Sequence, residues 1–152
     1  GMCIKNGILY GDYMTSYSVM AVKKDGTIYT PAQGLMGKNL LAAGVKDTYN
    51  FGPVLIKDGE AQLPWAETEK YYPRTAVGMV KPNDYVLLVT DTGSYNGLNH
   101  WDMVNIFKSY GCTYAYNLDG GGSATLYFNG KVMNKLIGNT QRPCADFLYF
   151  TR

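Results

Sequence analysis

The chain has 152 residues, 46% apolar and 17% charged, with a formal net charge of +2. This composition is globular rather than disordered, and the length suits a single domain over 1–152 with one core. Basic residues are scattered rather than clustered, which leaves no footprint for nucleic acid, and the longest apolar runs, such as YVLLV, have strand length, too short for a membrane span.

No signal peptide is visible, and Gly1-Met2 reads as a tag remnant ahead of a start residue, so a missing leader carries no weight for location. Turn signals recur at short intervals, beginning with KNG at 5–7, and predict many short strands. SYSVMAVKKDGTIYT (16–30) reads as a hairpin about Asp25-Gly26, because Asp-Gly supplies the positive φ angles of tight hairpin turns. LMGKNLLAAG (35–44) is a short helix ended by Gly44. GPVLIKDGEAQL (52–63) is a second hairpin about Asp58-Gly59. TAVGMV (75–80) and DYVLLVTD (84–91) pair across the Lys81-Pro82-Asn83-Asp84 turn.

The clearer helix runs from Asn99 to Tyr110. Asn99 caps it, Trp101, Val104, Ile106 and Phe107 share much of one face, and Gly111 stops it. A strand at 113–118 follows, then a hairpin at 124–133 turning at Asn129-Gly130. The fold class expected is α+β: a strand-rich mixed sheet with several hairpins, one βαβ unit and one or two helices.

In that unit, strand 84–91, helix 99–110 and strand 113–118 fit a right-handed crossover joining parallel strands. Each strand ends in an acid, Asp91 and Asp119. In adjacent strands these carboxylates would stand about 5 Å apart, one strand spacing, at the carboxyl ends where α/β crevices open. The plainer alternative is that each acid caps its own loop.

NLDGGGSAT (117–125) sets three glycines in a row, and each adds unfolded-state entropy that needs a geometric return. A phosphate loop would lead into a helix and carry a lysine, but SATLYFNGK alternates like a strand. A nucleophile elbow would need a glycine beyond Ser123 and a histidine partner, and the sole histidine, His100, falls in a helix's first turn with a packing role expected. What remains is an anion nest of backbone N–H groups beside Asp119, or a tight turn between strands. Asn117 and Asp119 fall on one face of their strand, where acid and amide would hold sugar hydroxyls. There are only three arginines, and Arg74 and Arg142 both stand beside prolines; guanidinium suits phosphate, though either residue could equally be a surface group. Cys3, Cys112 and Cys144 have no metal-ligand spacing and are expected as free thiols. The 14 tyrosines are common strand residues that also suit sugar-facing surfaces.

Together these segments resemble the phosphodiester glycosidase family. YPRTAVGMV (72–80) is similar to its Pro-Arg-Thr-Ala-Ile-Gly strand, NLDGGGSATLYFNGK (117–131) to its Asn-Leu-Asp-Gly-Gly-Gly-Ser segment, and RPCADFLYF (142–150) to its Arg-Pro-x-x-Asp-x-Leu ending. Two departures stand out. Asp91-Thr92-Gly93-Ser94 lacks the arginine of the family's Asp-Gly-Arg, and the early Asn-Gly-Gly-Phe-Phe strand is not seen, so the chain is expected to begin with the hairpin after it.

The resemblance implies a hydrolase that removes a sugar, N-acetylglucosamine in the first instance, from a sugar 1-phosphodiester or an envelope glycan. It implies catalytic roles for Asp119, Asp91, Arg74 and Arg142, and substrate-binding roles for Asn117, Gly120, Gly121, Gly122, Ser123 and Asp146. The partner is a carbohydrate or sugar phosphate, and the place of action is extracellular or the cell envelope. No cofactor is implied; calcium is the cation that Asp and Asn beside a glycan would accept. Two other readings stay open: a non-catalytic carbohydrate-binding module, and a cell-wall hydrolase of ordinary glycosidic bonds, for which two carboxylates are obligatory.

Overall fold

The computed structural model describes residues 1–13, 16–62, 70–91 and 96–150. The chain opens with a hairpin, β1 (Cys3–Lys5) and β2 (Ile8–Gly11), turning on Asn6 and Gly7, both at positive φ. Next come β3 (Ser18–Lys23), β4 (Ile28–Tyr29), helix α1 (Gly37–Ala42) and β5 (Val45–Phe51), whose strands form a three-stranded antiparallel sheet in the order β4-β3-β5. β6 (Val54–Lys57), β7 (Glu60–Ala61), β8 (Thr75–Lys81), β9 (Asp84–Val89) and, after helix α2 (His100–Ser109), β10 (Tyr114–Leu118) build a five-stranded sheet ordered β7-β6-β10-β8-β9. A last hairpin pairs β11 (Tyr127–Phe128) with β12 (Lys131–Val132).

The expected hairpins all form, and their turn residues carry the positive φ that Asn, Asp and Gly tolerate: Gly26, Asp58-Gly59, Asn83 and Asn129-Gly130. Both helices are present. Asn99 and Asp102 cap α2 reciprocally, the Asn99 side chain accepting from the Asp102 N–H at 2.8 Å, and Gly111 follows its end at φ 74. Its buried face differs from expectation. His100, Met103, Val104 and Phe107 are inside, at the i, i+3, i+4, i+7 spacing of one stripe, and Trp101 is exposed.

Four layers result. α2 packs on one face of the five-stranded sheet through Met103, Val104 and Phe107 against Leu55, Ala76 and Ala115. The three-stranded sheet covers the other face, where Met20, Ile28 and Tyr49 meet Val77, Met79, Tyr114 and Tyr116. Alternation along β8 and β10 sorts these residues: Ala76 and Ala115 face the helix, Val77 and Tyr116 the second sheet. On the far side of the three-stranded sheet, Ile4 and Leu40 close over Ala21 and Val45. The interior is thus three clusters, one between each pair of layers, where length alone predicted one core.

The largest correction concerns the crossover. β10 is antiparallel to both β6 and β8, and β8 is antiparallel to β9. β9 and β10 are therefore parallel, as expected, but not neighbours, because β8 lies between them. The 75–91 hairpin uses one edge of β8, and the chain returning from α2 takes the other.

Close approach explains Gly78. A β-carbon there would lie 2.5 Å from the Phe107 ring and 2.7 Å from Cys112 Sγ, so helix and sheet meet only over a bare backbone. Gly78→Ala is expected to cost about 1–3 kcal/mol through overpacking; chemical denaturation reads it, and an unchanged midpoint would contradict this helix–sheet contact.

Between the sheets, Tyr116 Oη donates to Ser18 O at 2.6 Å and accepts from Phe51 N at 2.8 Å, while Tyr114 Oη bonds Thr30 Oγ1 at 2.6 Å. Burial pushes the Tyr116 phenol up to about 12, and Tyr114 and Tyr49 are also raised by burial. A folded pKa above the unfolded value near 10 means this stabilisation is complete below about pH 10 and is lost as pH rises through the folded values. Phenolate absorbance should therefore show these three tyrosines silent near pH 10 in the folded protein, with unfolding on further alkalinisation. Titration of every tyrosine together near pH 10 in folded protein would refute the packing.

Candidate active site

The candidate residues gather where the chain leads into β8. Val89 of β9 and Leu118 of β10 both lie opposite Thr75 in register, so Pro73-Arg74 runs between the segments that follow those two strands. Backbone bonds tie this lead-in on both sides. Arg74 O accepts from Thr90 N at 2.9 Å and Arg74 N donates to Thr90 Oγ1 at 3.0 Å, while Pro73 O accepts from Gly121 N at 2.8 Å. One residue earlier, Tyr72 and Leu98 exchange N–H···O bonds of 3.3 and 3.0 Å.

Asp91 and Asp119 therefore stand at the same end of the sheet, on either side of Pro73-Arg74. Their strands are two spacings apart, roughly 9.5 Å, not the single spacing that adjacency predicted. Asp91 Oδ2 accepts from Lys135 N at 2.7 Å, which ties the end of β9 to the chain leaving the last hairpin. The Thr92-Gly93-Ser94 departure lies outside the described residues.

The glycine run has a different partner from the one expected. A β-carbon on Gly120 would lie 2.4 Å from Pro73 O, and Gly121 has φ 58, so the close approach that demands glycine is to the β8 lead-in. The N–H groups of Gly120 and Gly121 turn onto the protein's own acceptors. Gly120 N donates to Asp119 Oδ1 at 2.8 Å, Gly121 N to Pro73 O, and Ser123 N to Gly120 O at 3.0 Å. The anion beside Gly120 is thus the protein's own, the carboxylate of Asp119.

Ser123 Oγ donates to Asp119 Oδ2 at 2.8 Å, so both oxygens of that acid are held. Arg142 Nη2 stands 3.9 Å from the same Oδ2, and Arg142 Cδ passes 3.5 Å from where a Gly122 β-carbon would be. Asp119 and Arg142 are both well exposed. Arg74 does not join them. Its Nε donates to Leu98 O at 3.1 Å and its Nη2 to Lys70 O at 3.0 Å, with the guanidinium 5.2 Å from the Tyr72 ring centre. Of the two arginines expected to converge on the glycines, Arg142 lies beside Gly122 and Asp119, while the Arg74 guanidinium bonds backbone at 70 and 98.

Two further expectations change. Asn117 is 1% exposed and its Nδ2 donates to Gly52 O at 2.8 Å, so it braces the β5–β6 connection from inside the fold instead of facing a sugar. Asp146 pairs with Lys5 of β1 at 2.9 Å, and that ammonium also lies over the Tyr49 ring. His100 is buried at the start of α2. All three cysteines are free thiols, with Cys112 buried and its thiol pushed up by burial, and Cys144 exposed. Among the described residues no three His, Cys, Asp or Glu side chains group to hold a metal ion.

A groove of about 690 Å³ opens beside Asp91. Tyr71, Thr90, Leu98, Leu126, Met133 and Asn134 line it, and Asp102 adds a second carboxylate. Neither Asp119 nor Arg142 lines it; the β8 lead-in separates them from it. Sequence reasoning missed Thr90, Asp102 and Asn134. Asp102 had a signal, the Asn-x-x-Asp capping pattern. Asn134 had none: it closes the base of the last hairpin by accepting from Leu126 N at 2.7 Å and donating to Ala124 O at 2.8 Å, a role only the fold creates.

The phosphodiester glycosidase family profile matches residues 1–151. This chain belongs to that family. Among relatives of the domain, the SPbeta prophage-derived uncharacterized protein YomE of Bacillus subtilis (strain 168) is 31% identical over 159 residues, spanning 97% of this chain and 25% of that protein. The mouse N-acetylglucosamine-1-phosphodiester alpha-N-acetylglucosaminidase is 28% identical over 156 residues, spanning 86% of this chain and 29% of the enzyme. This phosphodiester glycosidase domain thus covers between a quarter and a third of the curated relatives' length. The zebrafish N-acetylglucosamine-1-phosphodiester alpha-N-acetylglucosaminidase catalytic domain, in a state auto-inhibited by its pro-peptide, shares the fold at a TM-score of 0.72 and 24% identity, over 90% of this chain and 50% of that one.

Replacing Gly120 by Ala should lower stability by about 1–3 kcal/mol, since Pro73 O must yield. Gly122→Ala meets only an ordinary contact with Arg142 and should be near neutral. Equal unfolding midpoints for the two variants would show that the run does not clasp the lead-in.

Proposed function

We propose that this domain hydrolyses a sugar 1-phosphodiester and releases the sugar, N-acetylglucosamine in the first instance. The observation that carries the reading is Asp119 held on both oxygens by Gly120 and Ser123 with the Arg142 guanidinium alongside it at the surface. An acid and a guanidinium set together match the needs of this reaction. Water attacks the anomeric carbon, the bond from that carbon to the phosphate oxygen breaks, and its electron pair leaves on a phosphomonoester. That leaving group is weakly basic, so a guanidinium that stabilises its charge replaces most of the need for a general acid. The proton lost by water passes to a carboxylate, the role assigned to Asp119.

The groove supplies the sugar side. Tyr71, Leu98 and Leu126 offer apolar surface and Asp91 and Asp102 offer acceptors, the mixture that a pyranose requires. Asp91, oriented by the Lys135 amide, is assigned to stabilise positive charge developing at the anomeric carbon. Arg74 acts as a positioning residue through its bonds to Leu98 and Lys70. The name of the mouse relative supports N-acetylglucosamine as the sugar, and the prophage origin of the Bacillus relative supports an envelope glycan as bearer of the diester, with action outside the cell or in its envelope.

The test is release of free sugar from N-acetylglucosamine 1-phosphodiesters. Asp119→Asn is expected to lower kcat by about 10²–10⁴ with substrate binding retained, the range for loss of a general base. Arg142→Lys is expected to weaken both binding and turnover because an ammonium cannot reproduce the planar fork. Binding of sugar without turnover would favour a carbohydrate-binding module, and cleavage of ordinary glycosides would favour a cell-wall glycosidase.

A further inference from the structure

The last hairpin forms one wall of the groove only at its base. Leu126 lies opposite Met133, joined by Met133 N to Leu126 O at 2.8 Å, and both line the groove. Tyr127 pairs with Val132 and Phe128 with Lys131. Because side chains alternate along each strand and paired residues share a face, Leu126, Phe128, Lys131 and Met133 occupy one face and Tyr127 and Val132 the reverse. Phe128 and Lys131 therefore continue the groove wall outward, roughly 7 Å beyond Leu126 and Met133. Phe128 is 65% exposed, and Lys131 has no ion pair among the described residues.

The charge of this segment is one-sided. From Gly120 to Arg142 the chain carries Lys131, Lys135 and Arg142 and no Asp or Glu. A groove that continues onto an aromatic ring and an unopposed ammonium is complementary to a ligand with an apolar ring face followed by negative charge. We propose that this hairpin face is an extended subsite for an anionic glycan whose sugars are joined through phosphodiesters, Phe128 stacking on one sugar ring and Lys131 pairing with the adjoining phosphate. This rests on the hydrolase reading above and extends it: the domain selects a polymer over a single diester. The aromatic contact is apolar and insensitive to salt, whereas the lysine contact is exposed and screened.

The experiment compares kcat/KM for a single N-acetylglucosamine 1-phosphodiester and for a longer oligomer of N-acetylglucosamine 1-phosphate, and measures oligomer binding to the Asp119→Asn protein. Phe128→Ala and Lys131→Ala should each lower kcat/KM for the oligomer by about three- to tenfold, with the single diester changed by less than about twofold, the scale of one exposed contact. The Lys131 effect should shrink as salt rises, and Tyr127→Ala, on the reverse face, should alter neither substrate. Equal effects on both substrates, no effect on either, or the same losses with a neutral oligosaccharide would overturn the proposal. If no diester is hydrolysed, the reading of the catalytic site fails while the subsite is still decided by binding: loss of oligomer affinity in Phe128→Ala and Lys131→Ala supports it, and unchanged affinity overturns it.

Discussion

The site depends on the clasp around Pro73-Arg74. β8 is the strand that must be inserted between β9 and β10, and its lead-in is bonded by Thr90 on one side and Gly121 on the other. That pair of attachments sets where both flanking strands end and so where their acids stand. The clasp also accounts for Gly120, whose missing β-carbon admits Pro73 O. A bulkier residue there would move Asp119 along with the backbone, so the geometric demand of the fold and the placement of the acid are one constraint.

The inserted strand changes the chemistry that two carboxylates can share. At one strand spacing, about 5 Å, Asp91 and Asp119 would form a close pair resembling a nucleophile and an acid/base. With β8 between them the acids belong to separate surroundings, Asp91 beside the groove and Asp119 beside Arg142. In the proposed hydrolysis of a sugar phosphodiester, such a division matches the two unlike ends of the substrate, a neutral sugar ring and a charged phosphate.

Much of the local structure was legible in the residues. Asp25-Gly26, Asp58-Gly59 and Asn129-Gly130 announce their turns because few other residues adopt positive φ, and Asn99 and Gly111 bound α2 for similar reasons. Helix, strand order and the acids at the two strand ends were readable in the same way. Adjacency was not. Nothing in strand 113–118 states which edge it will take, since β8 offers a free edge only after the 75–91 hairpin has formed. The facing of Asn117 was illegible for a related reason: whether its face meets water or protein is set by what packs on it, here the β5–β6 connection at Gly52. Trp101 shows the same limit, since the register of the buried stripe is chosen by Gly78 and the sheet rather than by the helix alone.

The glycine run shows how a correct physical argument can miss its object. Three glycines do mark a close backbone approach, and an anion does sit at the first of their amides. Both partners are internal: the approached backbone is the lead-in to β8, and the anion is Asp119. This changes what the segment contributes to function. A nest open to solvent would bind phosphate by itself, leaving the acid as a repulsive neighbour. A run whose Gly120 amide bonds Asp119 instead orients the carboxylate, and the proposed reaction then leaves recognition of phosphate to side chains, foremost Arg142, which stands within 3.9 Å of the acid. On that proposal the cation that meets the substrate's charge also offsets that of the acid beside it, so loss of Arg142 would leave two negative groups facing each other. In the proposed reaction binding and turnover are coupled through that one guanidinium, whereas Asp119 can be neutralised with the phosphate contact left in place.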